Sequence, residues 1–280
     1  MKNILTKIFS SKADLSSKEL SFLEITKKTK VSEIFKVISN YNDSSEIRYV
    51  GGCVRKILNN EKFDDIDLAT NLKPNEVKEC LQNNNIDFFE TGIEHGTITA
   101  RLNEKNFEIT SLRKDILTDG RHAKVEFTNE WTEDALRRDF TINSIYADKE
   151  GNLFDPNNGV KDLESGKVEF IGDPEKRVKE DYLRILRYIR FFLNYSNQDH
   201  KLNVKKIIKQ NISGVIKLSK ERLIDELKKL VISNGFIKIC NDEFCKEILL
   251  LIFPQVKNID IFKKLKKNYK KEIFKKDFIF

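Results

Sequence analysis

The sequence predicts an α+β protein, with a small mixed sheet and helices in its first half and a helical second half. Two observations lead to this fold class. Short β-branched or alternating apolar runs lie between stretches of helical periodicity in the first half of the chain. Beyond Asp173-Pro174 the apolar residues recur at helical spacing, and no strong strand pattern follows. A chain of 280 residues can bury a core and divide into one or two domains.

Each element follows from periodicity and from residues that start or stop regular structure. Val31, Ile34, Phe35 and Ile38 recur at helical spacing, and Pro74 is typical of the first turn of a helix. The predicted elements, in chain order, are a helix over 31–38, a strand over 47–50, a helix from about residue 73, strands over 96–102 and 107–112, and helices over 182–192 and 223–231.

The basic charge lies at the C-terminal end. Residues 201–280 carry 20 Lys and Arg against 9 Asp and Glu, a net +11, although the whole chain has a net charge of only +7. Such asymmetry fits a polyanionic partner, because Lys and Arg release counterions from nucleic-acid phosphates. A set of solvated amphipathic helices would have the same composition, so charge alone leaves both interpretations open.

Cysteine usage and hydropathy indicate a cytoplasmic protein with no membrane partner. The four cysteines show neither Cys-x-x-Cys spacing nor nearby histidines at zinc spacing, so neither a disulfide framework nor a zinc site is expected. Lys7 interrupts the N-terminal apolar run too early for a signal peptide, and no stretch approaches the ~20 apolar residues of a membrane span. A Lys-rich organellar address at the N-terminus remains an alternative.

The motif that most strongly indicates a functional site is Gly51-Gly52-Cys53-Val54-Arg55 followed by Asp65-Ile66-Asp67. Side chains alternate across a strand, so the two carboxylates point to one face and could share a divalent ion. Adjacent glycines allow a ligand close to the backbone, and the Arg beyond them suits a phosphate. In isolation these residues would more often be a turn and a solvated strand end.

Further blocks occur with these motifs, among them Arg138-Asp139 and Glu180-Asp181-Tyr182-Leu183-Arg184. Together they resemble class II CCA-adding tRNA nucleotidyltransferases and bacterial poly(A) polymerases, within the polymerase-β-like nucleotidyltransferase superfamily. The resemblance runs from about residue 48 to about residue 230. The matching blocks, in family order, are 48–55, 63–70, 137–144, 155–163, 180–187 and 219–227.

The resemblance implies a division of the chain and an activity. A polymerase-β-like nucleotidyltransferase head would occupy 31–150, after an N-terminal extension over 1–30. An all-helical neck over 151–230 and a short basic body over 231–280 would follow. The implied reaction is Mg²⁺-dependent addition of C, C and A to tRNA 3′ ends from CTP and ATP, with release of pyrophosphate. The alternatives are a poly(A) polymerase and a tRNA-binding protein without catalysis.

The same resemblance implies a metal site of three carboxylates. Asp65 and Asp67 would hold Mg²⁺, and Glu108 stands on a later predicted strand where the family places its third catalytic carboxylate. Taken alone, Glu108 would more often be a surface residue of a strand.

Nucleotide-binding residues form two groups. Gly52 and Arg55 belong to the glycine motif, and Arg138, Asp139 and Asn143 resemble the family block that grips ribose and phosphate. Locally, Asp139 could equally be an acid in the first turn of a helix.

The second group is a nucleobase reader. Asp181 and Arg184 are three residues apart on a predicted helix and would share one face, where an acceptor and a donor fork can meet the edges of C and A. Arg187 and Arg190 continue that face and suit a triphosphate. The competing interpretation is an ordinary surface salt bridge between Asp181 and Arg184.

The charged segment 113–123 is predicted to be a mobile loop. It resembles the flexible loop with which CCA-adding enzymes move from C to A addition, which implicates Asp119, Arg121 and His122. His95 is expected to be a strand-entry histidine rather than a general base, because metal-activated hydroxyls can supply the nucleophile.

Overall fold

The computed structural model describes residues 17–63, 65–119, 122–256 and 259, without the side chains of 17–20, 28, 91, 117–119 and 122–124. These residues form two compact units. The first comprises the chain up to Asp115 together with Val125–Arg138 and Ile142–Val160. The second comprises Ile116–Lys124, Asp139–Thr141 and the chain from Lys161 onward.

The first unit is built on a seven-stranded mixed sheet. Its strands are β1 Ile47–Val50, β2 Asp67–Thr70, β3 Asp87–Gly92, β4 Thr97–Leu102, β5 Lys105–Ser111, β8 Tyr146–Ala147 and β9 Leu153–Phe154. Their spatial order is β3-β4-β5-β2-β1-β8-β9. Strand β2 pairs in parallel with β5, whereas the other registered neighbours in this sheet are antiparallel. The α+β prediction is therefore confirmed.

Helices cover this sheet through their apolar stripes. Helix α2 buries Val31, Ile34, Phe35 and Ile38, the four residues whose spacing predicts it. Pro74 opens α4, as predicted from its fixed φ and missing N–H. The helices of this part of the chain are α1 Ser17–Thr29, α2 Val31–Ser39, α3 Gly52–Leu58, α4 Pro74–Asn83, α5 Trp131–Arg137 and α6 Gly159–Glu164.

The segment predicted to be a mobile loop is largely strand. Strands β6 Arg113–Asp119 and β7 His122–Phe127 form a separate two-stranded sheet. The prediction of a loop is wrong here because it relied on charge and low apolar content. A two-stranded ribbon satisfies its backbone by pairing and needs no apolar face of its own.

The second unit takes in Ile116–Lys124 from the β6 and β7 segment, and its described residues beyond Asp173-Pro174 are helical, as predicted. Asp173, Ser219 and Asp242 cap three of its helices with side-chain oxygens that accept backbone N–H groups. Phe140, Phe170 and Tyr188 form an aromatic centre with ring centroids 4.8 to 6.3 Å apart. The helices are α7 Pro174–Glu180, α8 Leu183–Tyr195, α9 Leu202–Asn211, α10 Lys220–Ile232 and α11 Glu243–Ile252.

Among the helices that the structure describes, none combines the length and the apolar character needed to cross a lipid bilayer.

Candidate active site

Three carboxylates converge at the join between β2 and β5. Asp67 begins β2 and is the direct register partner of Glu108 on the parallel strand β5. Asp65 lies two residues before Asp67 and is exposed, whereas Ile66 between them is buried. This alternation is the one expected for two acids on the same side of an extended chain. The structure thus places Glu108 beside Asp67 in register, with Asp65 near enough for its charge to act on Asp67.

The pKa of Asp67 reflects its burial and the charged groups around it. Burial raises the pKa of Asp67 to about 6, and the negative charges of Glu108 and Asp65 act in the same direction. Arg138 and Arg55 oppose the shift without cancelling it. A cation among the carboxylates would offset the repulsion, and an all-oxygen donor set is the kind that Mg²⁺ prefers. The donor chemistry of these residues therefore fits a magnesium ion.

The two glycines lie directly against this site. Gly51 has φ +69, which favours glycine, and a Cβ at this position would lie 3.7 Å from Nη1 of Arg138. A Cβ on Gly52 would lie 3.9 Å from Oδ2 of Asp67. Because these two residues have no side chains, the backbone at the start of α3 lies close to Asp67 and Arg138. A ligand held at the carboxylates could therefore approach this backbone, as predicted.

Arg55 and Asn143 form one arm of the site. Arg55 is buried, and its guanidinium Nη1 donates a hydrogen bond to Oδ1 of Asn143. Arg55 comes from α3, whereas Asn143 comes from the short turn that precedes β8. The structure therefore joins two predicted nucleotide-binding residues that are far apart in sequence.

Asp134, which sequence reasoning missed, orients Arg138. Its Oδ2 accepts hydrogen bonds from Nη2 of Arg138 at 2.9 Å and from the hydroxyl of Tyr146 at 2.6 Å. Its Oδ1 accepts from Nε of Arg137 at 2.8 Å. Burial alone would raise the pKa of Asp134, but Arg138 and Arg137 outweigh it and hold that pKa well below its usual range. The i, i+3 and i+4 spacing of an acid before two arginines was the available signal.

In the second unit, a chain of ion pairs links Asp139 to Glu226. Arg187 contacts Oδ2 of Asp139 through Nε at 2.7 Å and through Nη2 at 2.6 Å. Glu226 is buried, accepts from Nε of Arg190 at 2.5 Å and lies 3.9 Å from Nη1 of Arg187. Arg187 and Arg190 are therefore held by acids of their own unit. Glu226 is a second residue that sequence reasoning missed.

Asp181 and Arg184 do not stand on one helix, so that prediction is wrong. Asp181 has extended backbone angles and lies between the end of α7 and the start of α8. Oδ1 of Asp181 accepts from the N–H of Leu183 at 3.1 Å, and Oδ2 accepts from Nη2 of Arg222 at 2.8 Å. Helical periodicity missed this break because apolar spacing from Tyr182 onward indicates a helix without fixing the residue at which it begins.

Arg184 is buried and bonds to the preceding helix. Its Nη1 donates to Oε2 of Glu180 at 2.6 Å and to the carbonyl of Arg177 at 2.7 Å. The ion pairs of Asp181 with Arg222 and of Arg184 with Glu180 replace the surface salt bridge that the sequence allowed between Asp181 and Arg184. Both predicted base readers are thus fixed by different partners.

The remaining predicted residues belong to the β6 and β7 ribbon. Asp119 ends β6 and His122 begins β7. Arg121 lies outside the described residues.

Comparison with known proteins identifies relatives of this chain. A family model described as the poly A polymerase head domain matches residues 47–169. The chain is 48% identical over 195 residues to CCA tRNA nucleotidyltransferase 1, mitochondrial, of Homo sapiens, covering 69% of this chain and 45% of that protein. It is 38% identical over 188 residues to the CCA-adding enzyme of Lactobacillus helveticus, covering 66% and 46% of the two chains.

A solved structure supports the fold match. The chain superposes on the Bacillus stearothermophilus CCA-adding enzyme in complex with CTP with a TM-score of 0.65 and 28% identity, covering 75% of this chain and 51% of that one. The chain spans about half the length of the curated relatives it matches.

The matched head includes the strands that bear Asp67 and Glu108, and the similarity to the human protein extends over more residues than that head. The chain belongs to the CCA-adding nucleotidyltransferase family, within the polymerase-β-like nucleotidyltransferases.

Proposed function

We propose that the protein adds C, C and A to the 3′ ends of tRNA, using CTP and ATP and releasing pyrophosphate. The observation that carries the proposal is the cross-strand pairing of Asp67 with Glu108, with Asp65 on the same side. Carboxylates arranged in this way suit nucleotidyl transfer, in which catalysis consists mainly of positioning and of neutralising phosphate charge.

Asp65, Asp67 and Glu108 would hold Mg²⁺. When bound, the metal would acidify the attacking 3′-hydroxyl and neutralise charge on the triphosphate. Asp67 must be ionised to serve as a ligand, and its raised pKa makes metal binding and deprotonation favour each other. Arg138, fixed by Asp134, would supply a positive charge for phosphate close to Gly51.

Asp181 and Arg184 would select the nucleobase. Arg222 and Glu180 restrict these side chains, so an acceptor and a donor are fixed before a nucleotide arrives. A fixed pattern of this kind discriminates among bases, because a mismatched base leaves a buried polar group unpaired. Arg187, Arg190, Asp139 and Asn143 would complete nucleotide binding, and Asp119, Arg121 and His122 of the charged segment after β5 would assist the change from C to A.

The proposal is tested with the purified protein, tRNA ending at the discriminator base, Mg²⁺ and each nucleotide alone or in combination. We expect CTP alone to extend the tRNA by two residues, and CTP with ATP to complete CCA. Sequencing the products separates the alternatives. A long A tract would indicate a poly(A) polymerase, which the name of the matched head domain also fits. Binding of tRNA without extension would indicate a non-catalytic relative.

The loop proposal has its own test. Arg121→Ala should slow the final A addition more than the two C additions, because a purine needs a reshaped pocket. Lys114→Ala, which removes a partly exposed β6 side chain paired with Glu126 at 3.3 Å, is the matched control. Equal loss at all three steps would reassign Arg121 to general substrate binding.

We further propose a cytoplasmic location. The four cysteines are free and buried, which suits a reducing compartment. Fractionation with a C-terminal tag would test this location, and enrichment in an organelle would contradict it.

A further inference from the structure

A second cluster of potential metal ligands lies in the helical unit and contains none of the catalytic carboxylates. His200 precedes α9, and Asp242 and Cys245 form the first turn of α11. The Nε2 atom of His200 lies 2.9 Å from Oδ2 of Asp242 and 3.6 Å from Sγ of Cys245. One ligand atom from each residue falls within 4.8 Å of the others. A single ion can therefore contact all three.

The imidazole is held in place from three sides. The Phe192 ring stacks on it with centroids 3.6 Å apart, and Phe244 meets it edge-on at 4.8 Å. The hydroxyl of Tyr188 lies 2.9 Å from Nδ1. When an ion is bound and Nδ1–H donates to this hydroxyl, the lone pair of Nε2 is free to face an ion shared with Asp242 and Cys245. A hydrogen bond from the second ring nitrogen is the usual support of a metal-bound histidine.

The carboxylate and the thiol are also positioned by the protein. Oδ1 of Asp242 caps α11 by accepting the N–H of Cys245 at 2.9 Å, which leaves Oδ2 directed at His200. The Cys245 side chain is buried, whereas the side chain of Asp242 is 20% exposed. An ion could therefore enter on the aspartate side, where solvent can supply a further ligand.

The donor set selects the kind of ion. Sulfur and imidazole nitrogen favour borderline metals such as zinc, whereas Mg²⁺ prefers oxygen ligands. We propose that His200, Asp242 and Cys245 bind a zinc ion that ties the segment before α9 to the first turn of α11. On binding, the thiol of Cys245 releases its proton to solvent and coordinates as the thiolate. This site stabilises the helical unit and is independent of the proposed nucleotidyl transfer.

Sequence spacing gave no warning of this site. His200 and Cys245 are 45 positions apart, so no short zinc motif is present. The fold alone brings them together.

The test uses Co²⁺ as a spectroscopic probe, added to the full chain carrying Asp65→Asn and Asp67→Asn so that the catalytic carboxylates contribute little. We expect a thiolate-to-cobalt charge-transfer absorption that saturates and is abolished by added Zn²⁺. Cys245→Ser should eliminate the band. Cys240→Ser should retain it, because Cys240 is a buried thiol of the same unit that bonds instead to the carbonyl of Ile259.

Tyr188→Phe separates metal support from simple packing. It keeps the buried ring but removes the oxygen beside Nδ1, and should weaken Zn²⁺ binding by at least about tenfold with little change in circular dichroism. Absence of a cobalt band in the parent protein, or an undiminished band in Cys245→Ser, would overturn the proposal. In either case the cluster would be a hydrogen-bonded His–Asp pair beside an inert thiol.

Discussion

At Asp67 the proposed catalytic role and folding stability conflict directly. Its pKa of about 6 is above the ordinary value of 3.8, because the carboxylate is buried and faces two other acids. A group whose pKa is raised by folding stabilises the folded state most when it is protonated. Its contribution declines as the pH rises through about 6. The metal-free protein therefore carries an electrostatic cost at neutral pH.

Replacing Asp67 by Asn should remove activity and remove that cost. At about pH 8 and without metal, we expect Asp67→Asn to raise the free energy of unfolding by about 1 kcal/mol, a value reduced from the full shift for solvent screening. The gain should vanish below about pH 4, where Asp67 is protonated in the wild type. Urea denaturation at the two pH values, with and without Mg²⁺, measures both effects.

The control for this variant is Asp87→Asn, which changes an exposed acid at the start of β3. It should alter neither stability nor the rise in melting temperature that we expect Mg²⁺ to produce in the wild type. An Asp67→Asn protein that is still stabilised by Mg²⁺ as strongly as the wild type would contradict the metal assignment.

Substitution of Arg184 tests whether the helical unit selects the nucleobase. Arg184→Ala should lower single-turnover incorporation of CTP and ATP and reduce their preference over UTP and GTP by at least about tenfold, because the donor fork is lost. Lys179→Ala, which breaks an exposed pair with Glu175 on the preceding helix, is the matched control. Wild-type discrimination in Arg184→Ala would move base selection elsewhere in the chain.

At the scale of elements, α5 acts as a support for the site. It carries Asp134, whose side chain is 1% exposed and whose oxygens contact Arg137, Arg138 and Tyr146. Removing one partner of a buried ion pair leaves the other charges without compensation, which costs more than the pair contributes. Helix α5 therefore positions Arg138 through a buried carboxylate whose removal would strongly destabilise the protein.

Asp134→Asn should lower the free energy of unfolding at neutral pH by about 3 kcal/mol. Because folding depresses the pKa of Asp134, its contribution is present above the ordinary pKa of an aspartate and is lost only in strong acid. Guanidinium denaturation over a pH series checks both size and sign. Glu130→Gln, an exposed acid just before the same helix, should have little effect. A penalty as small as that of the control would mean that water replaces the lost contacts.

At the scale of the whole molecule, charge is divided between regions of the chain. The excess of Lys and Arg over residues 201–280 includes exposed side chains of α10 such as Lys228 and Lys229. If these contact tRNA phosphates, each contact contributes roughly 0.7 to 0.9 to the slope of log binding constant against log salt.

Lys228→Gln with Lys229→Gln should therefore weaken tRNA binding and lower the magnitude of that slope by about 1 to 2. Lys105→Gln, at an exposed position on β5 of the other unit, is the control for a change in net charge alone. Filter binding over a salt series gives the slopes. Equal slopes for the double variant and the wild type would show that the α10 charge does not contact the RNA.

Local pattern was enough to predict much of this molecule. Apolar periodicity identified α2, the glycine pair and Pro74 marked turns and helix starts, and the Asp-x-Asp spacing selected Asp65 and Asp67, whereas Glu108 was predicted from the family resemblance. These features depend on neighbours along the chain or on a repeated local geometry, so the sequence alone determined them.

Only the tertiary structure decided which charges meet. Charge content suggested a loop where β6 and β7 pair, and helical spacing placed Asp181 on a helix that begins after it. Asp134 beneath Arg138, Glu226 beside Arg190, and His200 beside Cys245 all depend on packing among separate elements. Periodicity records which face of an element is apolar, whereas the partner of a buried charge is set by the fold that removes water from both.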